Sequence, residues 1–155
     1  MMTYEFVDMP AKTVVGLAAR TNNHDPQMGQ TIGGLWQQLW GGLYEKIGQK
    51  VDQHTIGLYS DYADGVDGDY TITVGCAVSG TQGQPEGTVV KTIPAGRYLK
   101  MVVTGDQVEA VGKAWEELWQ LPLERTYTGD YEEYVSVDAD GQCEIHLYIA
   151  VREEA

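Results

Sequence analysis

The sequence predicts an α+β fold: a tandem βαββ repeat with pseudo-twofold symmetry, built from antiparallel sheets and two main helices. Three observations carry this. Two amphipathic helical stretches, 32–47 and 108–119, are each followed by two strand-like segments. Three segment pairs then match in the same order. MPAKTVVGLAA (9–19) stands in the place of IPAGRYLKMVV (93–103), LWQQLW (35–40) of AWEELW (114–119), and DGDYTITVGCAV (67–78) of DGQCEIHLYIAV (140–151). The offset falls from 84 to 79 to 73 residues, as changes in loop length require. Finally, 155 residues suit one compact domain made of two small fused halves. The expected division is a single domain over 1–155, with a first βαββ half at 1–79, a linker at 80–87 and a second half at 88–155.

Each element has its own signal. Tyr4 to Val7 and, after Pro10, Thr13 to Arg20 read as strands, the second carrying β-branched Val14 and Val15. Ile32, Leu35, Trp36, Leu39, Trp40, Leu43, Tyr44 and Ile47 recur at helical spacing. The opposite face holds Gly33, Gly34, Gly41 and Gly42. Each interior glycine costs about 1 kcal/mol relative to alanine, so this helix depends on packing its apolar stripe or on another backbone close by. Strands at 56–62 and 70–78 flank an Asp-Gly-rich turn at 64–69, and SGTQGQPEG (79–87) reads as flexible linker. Strands at 88–93 and 97–104 surround Pro94-Ala95-Gly96. Asp106 with Glu109 forms a capping box for the second helix, whose stripe is Val108, Val111, Trp115, Leu118 and Trp119 and which Pro122 stops. Strands at 131–137 and 143–151 form a hairpin around Asp138-Ala139-Asp140-Gly141.

Composition narrows the function. Ten Lys and Arg against 23 Asp and Glu give a formal net charge of -13. That argues against sequence-independent nucleic-acid binding, which needs cations to displace counterions from phosphates, and against an anionic membrane surface. It favours a cationic ligand, or no charged partner at all. No run approaches 18 apolar residues and the first ten residues lack an apolar signal core, so the expected location is cytoplasmic. Cys76 and Cys143 sit in strand-like segments and read as reduced and buried. His24, His54 and His146 lack metal-ligand spacing, and Asp61, Asp64, Asp67 and Asp69 do not follow a calcium loop. Neither metal nor cofactor is expected. Ten Tyr and four Trp against one Phe point to a surface or cleft that binds something.

The C-terminal hairpin is the candidate site. Alternation separates Glu132, Tyr134 and Ser136 from Tyr131, Val135 and Val137, and on the returning strand separates Glu144, His146, Tyr148 and Ala150 from the aliphatic residues. The simplest register sets Glu132 opposite Tyr148 and Tyr134 opposite His146. Such a face is either a solvated outer surface or a ligand-facing wall. In the second case a carboxylate among aromatic rings attracts an organic cation, or, desolvated, serves as a general acid or base. Trp36, Trp40, Trp115 and Trp119 either fill the core or give one Trp of each pair to a groove between the halves, with Tyr59 and Tyr62, on opposite faces of their strand, and Tyr98 supplying further phenols.

Pro10 with Val14-Val15-Gly16-Leu17, Leu35-Trp36, Gly57-Leu58-Tyr59 followed by Asp67-Gly68-Asp69-Tyr70 and Val74-Gly75, Ile93-Pro94-Ala95-Gly96-Arg97-Tyr98, and Tyr131-Glu132-Glu133-Tyr134 occur in order. In these the chain resembles the GyrI-like small-molecule-binding domains, or AraC-type effector-binding domains, over nearly its whole length. The resemblance implies a tandem βαββ fold with a pocket between the halves. In multidrug-responsive relatives that pocket is aromatic and holds an acidic residue that attracts cationic lipophilic drugs. The motif carries this role to Glu132 and Tyr134 first, then to Trp36 and Trp119. A second acid would fall near Trp119, where Glu116 and Glu117 are close but neither matches. Relatives are often fused to a DNA-binding helix-turn-helix, for which no residues remain here, so a stand-alone binder is expected. Some stand-alone relatives inhibit DNA gyrase, and others resemble hydrolases that open strained cyclopropane rings with a pocket carboxylate.

The expected function is therefore the binding of lipophilic, cationic aromatic compounds around Glu132, with Tyr134, Trp36, Trp119, Tyr148, Tyr59, Trp40 and Tyr98 as ligand contacts. No catalytic residue is assigned; Glu132 takes that role if the chain is an enzyme. The alternatives are a hydrolase of strained electrophiles and a gyrase-inhibitor-like protein-interaction module. The expected partner is a small molecule, with no direct nucleic-acid or membrane contact; a protein partner, and a monomer or homodimer, stay open.

Overall fold

The computed structural model describes residues 4–63 and 68–152. Its elements are β1 (Tyr4–Met9), β2 (Lys12–Thr21), α1 (Met28–Gln38), α2 (Tyr44–Lys46), β3 (Thr55–Ser60), β4 (Tyr70–Val78), β5 (Val89–Ile93), β6 (Gly96–Asp106), α3 (Gln107–Gln120), β7 (Asp130–Val137) and β8 (Gln142–Ala150). The strands form one antiparallel sheet in the order β1-β6-β8-β7-β3-β4-β2-β5. The fold is α+β with two main helices, α1 and α3, as expected.

The sheet order has the symmetry of the sequence match. β2 pairs with β4 as β6 pairs with β8, β3 pairs with β4 as β7 pairs with β8, and β3 meets β7 at the centre. The sequence did not reveal an exchange at the edges. β1 precedes β2 but pairs with β6, and β5 precedes β6 but pairs with β2. Strands lie about 4.8 Å apart, so a flat sheet would set β1 some 29 Å from β2. Pro10 and Ala11 alone join them and span at most about 11 Å. The sheet therefore curls until its two ends meet, and Pro94-Ala95 makes the matching crossover between β5 and β6.

Curling brings backbones close together. Gly16 of β2 and Gly75 of β4 are register partners. A Cβ on Gly16 would collide with the Val74 carbonyl, and one on Gly75 with the Val15 carbonyl. Only glycine fits at either position.

Alternation divides the core between two faces. Outside the curl, α3 covers Leu99, Met101, Ile145, Leu147 and Ile149, and α1 covers Val15, Ile72, Val74 and Cys76. Inside it lie Val14, Ile56, Leu58, Ile93, Tyr98, Tyr131 and Tyr148. Cys76 and Cys143 are buried free thiols.

The first helix departs from expectation. In place of one helix to Ile47, α1 ends at Gln38 and a π-helical turn follows at Leu39–Leu43. Gly42 adopts φ +128°, outside the helical region, so the Gly41-Gly42 pair breaks the helix before α2. At the start of α3 the Glu109 N–H donates to Asp106 Oδ1 at 3.1 Å, as the cap requires. Residues 64–67 of the expected Asp-Gly turn lie outside the described residues. Among the described residues no helix is long and apolar enough to cross a membrane.

Candidate ligand-binding site

α1 and α3 leave a cleft above the central strands β3 and β7. At its base sits Glu132, only 4% exposed. Its Oε2 accepts the Trp115 indole N–H at 2.7 Å and the Tyr59 hydroxyl at 3.1 Å, and its Oε1 accepts the Tyr134 hydroxyl at 2.8 Å. Trp36 packs edge-on against Tyr134 at 4.9 Å between centroids, and Trp115 against Tyr59 at 5.5 Å. The arrangement is doubled. With β4 and β8 matched at 73 residues, the pairing registers put Tyr59 and Tyr134 at equivalent positions, and the helix match does the same for Trp36 and Trp115. Gly57 is the equivalent of Glu132 and is also its cross-strand partner. A Cβ at Gly57 would stand 3.4 Å from Glu132 Oε1 and 3.4 Å from Trp36, so the missing side chain makes room for the carboxylate.

Burial raises the Glu132 pKa, and the hydrogen bonds from Trp115, Tyr134 and Tyr59 oppose that rise. Burial and the nearby carboxylate hold the Tyr59 and Tyr134 hydroxyls well above their ordinary pKa, so both remain protonated donors. All three donors are neutral. No basic group contributes to the Glu132 shift, and among the described residues none forms an ion pair with it.

Tyr59 and Trp115 separate Glu132 from a cavity of about 300 Å³. α1 contributes Met28 and Ile32 to its wall, and α3 contributes Gly112, Glu116 and Trp119, with Tyr62, Tyr70 and Arg125 closing it. The Arg125 charge is engaged: its guanidinium donates to Asp130 Oδ2 at 2.7 Å, and Asp130, fully buried, also accepts the Tyr62 hydroxyl at 2.6 Å.

Five of the sequence-predicted site residues gather here. Glu132, Tyr134, Tyr59 and Trp36 form the cluster, and Trp119 lines the cavity at 55% exposure. Three stand elsewhere. The expected register of the last hairpin is corrected: Tyr148 pairs with Tyr131, and Glu132 with Leu147. A bulge between Tyr134 and Ser136 shifts the ladder, and a slip of one residue moves a side chain to the other face. Tyr148 thus stacks on Tyr131 at 4.5 Å inside the curl, and His146 opposes Glu133 rather than Tyr134. Tyr98 is buried in the same inner cluster and donates to the Pro94 carbonyl at 2.6 Å. Trp40 lies in the π-helical turn, 57% exposed and packed on Tyr44 at 4.9 Å, because the break after α1 turns it off the Trp36 face.

Sequence reasoning offered Trp115 as core or groove without choosing it over Trp119, yet it makes the shortest hydrogen bond to Glu132. Its match to Trp36 in the repeat was the available signal. Tyr70 and Arg125 were missed because no local pattern ties them to the hairpin, whereas Tyr62, a phenol the sequence offers beside Tyr59, does line the cavity. Glu116, close to the expected second acid, does line the cavity.

Comparison with known proteins gives the family and the fold. The model of the Cass2 family, integron-associated effector-binding proteins, matches residues 5–151. A putative transcriptional regulator of Bacillus subtilis (strain 168), YobU, is 30% identical over 148 residues, covering 91% of this chain and 92% of that protein. The crystal structure of an integron cassette protein from Vibrio cholerae superposes with a TM-score of 0.79 at 27% identity, covering 96% of this chain and 95% of that one. The structure of SAV2435 bound to tetraphenylphosphonium has the same fold, with a TM-score of 0.79 at 18% identity over 97% and 94% of the two chains. The resemblance to GyrI-like effector-binding domains is borne out, and the chain belongs to the Cass2 family of integron-associated effector-binding proteins.

Proposed function

We propose that the protein binds lipophilic aromatic cations in the cavity between α1 and α3, and that Glu132 attracts them from behind a wall of aromatic rings. One observation carries this reading: a buried carboxylate held by three neutral donors and, among the described residues, by no cation. A buried charge without a counter-ion is costly, and a cation arriving in the adjacent cavity offsets that cost. The rings that line the cavity also donate to the carboxylate, so they present their electron-rich faces to a ligand while their polar edges turn toward Glu132. SAV2435, a protein of the same fold, was found with an aromatic phosphonium bound. That supports the class of ligand proposed here.

The arrangement favours cations that carry no N–H. Glu132 already accepts three hydrogen bonds and is screened from the cavity, so a protonated amine would lose its water hydrogen bonds without a carboxylate to replace them. A quaternary or phosphonium centre has no donors to satisfy.

Blocking the cavity tests the reading. A Cβ on Gly112, on the cavity side of α3, meets nothing within 4 Å. Gly112→Leu should therefore fold, and should gain stability from replacing a helix-interior glycine, while its side chain occupies ligand space. Tryptophan fluorescence titration with tetraphenylphosphonium should show saturable binding to the wild type and at least tenfold weaker binding to Gly112→Leu. Equal affinity for both would place any binding elsewhere.

A further inference from the structure

β7 points a second glutamate the other way. Glu133 follows Glu132, so its side chain emerges on the opposite face of the sheet, where it is 6% exposed. The segment leading into β3 meets it there. His54 Nδ1 lies 2.8 Å from Glu133 Oε2 and 3.6 Å from Asp52 Oδ2. The Asp52 carboxylate is held in place, because its Oδ1 accepts the His54 backbone N–H at 2.9 Å. The nearby ammonium of Lys12 stands 3.9 Å from the other oxygen of Glu133, Oε1. Nothing in the ligand cavity uses these groups.

We propose that Asp52, His54 and Glu133 form a binding site for a first-row divalent transition-metal ion of the zinc type. One donor atom from each residue, the imidazole nitrogen and two carboxylate oxygens, falls in a group whose members all lie within 4.8 Å of one another. Donors about 2.0–2.2 Å from a tetrahedral metal sit roughly 3.4 Å apart, and the two separations from Nδ1 bracket that spacing. Side-chain rotations of about 1 Å complete the triangle.

Hydrogen bonding leaves one of the three pairings unmet. An imidazole Nδ1 carries at most one hydrogen, and the 2.8 Å contact directs it to Glu133. Asp52 Oδ2 is then left facing the same nitrogen at 3.6 Å, beyond hydrogen-bond range, with its carboxylate fixed by the turn. A metal ion centred among the three would satisfy both carboxylates and the nitrogen lone pair together.

The donor set chooses the metal. Calcium takes six to eight oxygens and magnesium prefers carboxylates, phosphates and water, whereas imidazole suits zinc, iron, nickel and copper. His54 and Asp52 are partly exposed, so water has access to the remaining coordination position. Lys12, on Oε1, leaves Oε2 to the ion.

The test is a titration of chelator-stripped protein with Zn²⁺ in competition with a chromophoric chelator, with Co²⁺ absorption as a second readout. The wild type should take up one equivalent and show ligand-field bands of a mixed nitrogen and oxygen site. His54→Ala and Asp52→Asn, at partly exposed positions, should keep the wild-type far-UV circular dichroism and weaken uptake at least tenfold. His146→Ala is the control. Its imidazole stands on the strand opposite Glu133 but is turned onto Glu144, with Nε2 2.7 Å from Oε2, so its loss should leave the single site unchanged. Absence of one-to-one uptake, uptake indifferent to His54→Ala, or uptake abolished by His146→Ala would each overturn the assignment.

Discussion

Glu132→Gln separates charge from shape at the proposed ligand site. The cavity is bounded by Tyr59 and Trp115, so a bound cation stacks on these rings rather than touching the carboxylate. Ring contact at about 4 Å, added to the span from ring to carboxylate, puts the charges roughly 7 Å apart. At an effective dielectric constant of about 20, two unit charges at that distance attract by about 2.4 kcal/mol, or roughly fiftyfold in affinity. Glutamine keeps the volume and most of the hydrogen bonding. Its carbonyl accepts from the Trp115 indole, which can only donate, and from one tyrosine; the other hydroxyl reverses to accept from the amide. Isothermal titration should use an aromatic quaternary cation beside its neutral carbon isostere. The cation should lose about fiftyfold in the variant and the isostere less than threefold. Equal losses would mean that Glu132 acts through shape. No loss for the cation would mean that its charge is not read there at all.

Other perturbations probe the same geometry. A quaternary aromatic ammonium should bind at least tenfold more tightly than its tertiary N–H counterpart, read by competition, because Glu132 is screened and already accepts three hydrogen bonds. Trp40→Ala should leave cation affinity within twofold of wild type, since Trp40 stands on the surface against Tyr44 rather than in the cavity. Arg125→Met should cost about 3–5 kcal/mol in denaturant unfolding, because it strands the fully buried Asp130 carboxylate without its cation. Gly16→Ala should fail to fold or should unfold at far lower temperature, as its Cβ meets the backbone of Val74 rather than a side chain that can move.

Much of the fold was legible because the signals were local or repeated. β4 falls on the segment expected from alternation, 70–78, and the end of α3 follows from Pro122. The matched segments also carried pairing information, since the offsets that align them agree with the sheet register. What stayed hidden was non-local. The exchange of β1 and β5 depends on the curl of the whole sheet, and nothing in either strand states its partner. The Tyr134–Ser136 bulge changed the face of Tyr148 through one irregular residue, which a strict two-residue period cannot foresee. Glu132, Tyr134, Tyr59 and Trp36, to which the hairpin alternation and the motifs pointed, come together in one cluster. The cavity wall beyond them comes from segments far apart in the chain.

The symmetry of the cluster explains why one glutamate suffices. Duplication supplies the Trp–Tyr pair twice, and β3 and β7 meet where the two copies face each other. A second glutamate at the equivalent position, Gly57, would have its Cβ 3.4 Å from Glu132 Oε1. Two carboxylates in that buried space could not both ionise, and one would hold the other's proton. The pair would carry no more charge than Glu132 alone, while the second side chain would fill the gap beside Trp36. Glycine at 57 leaves a single carboxylate, two flanking aromatic pairs and the space to hold them. The symmetric frame thus builds a cluster whose two halves differ at their point of contact, where the single carboxylate sits.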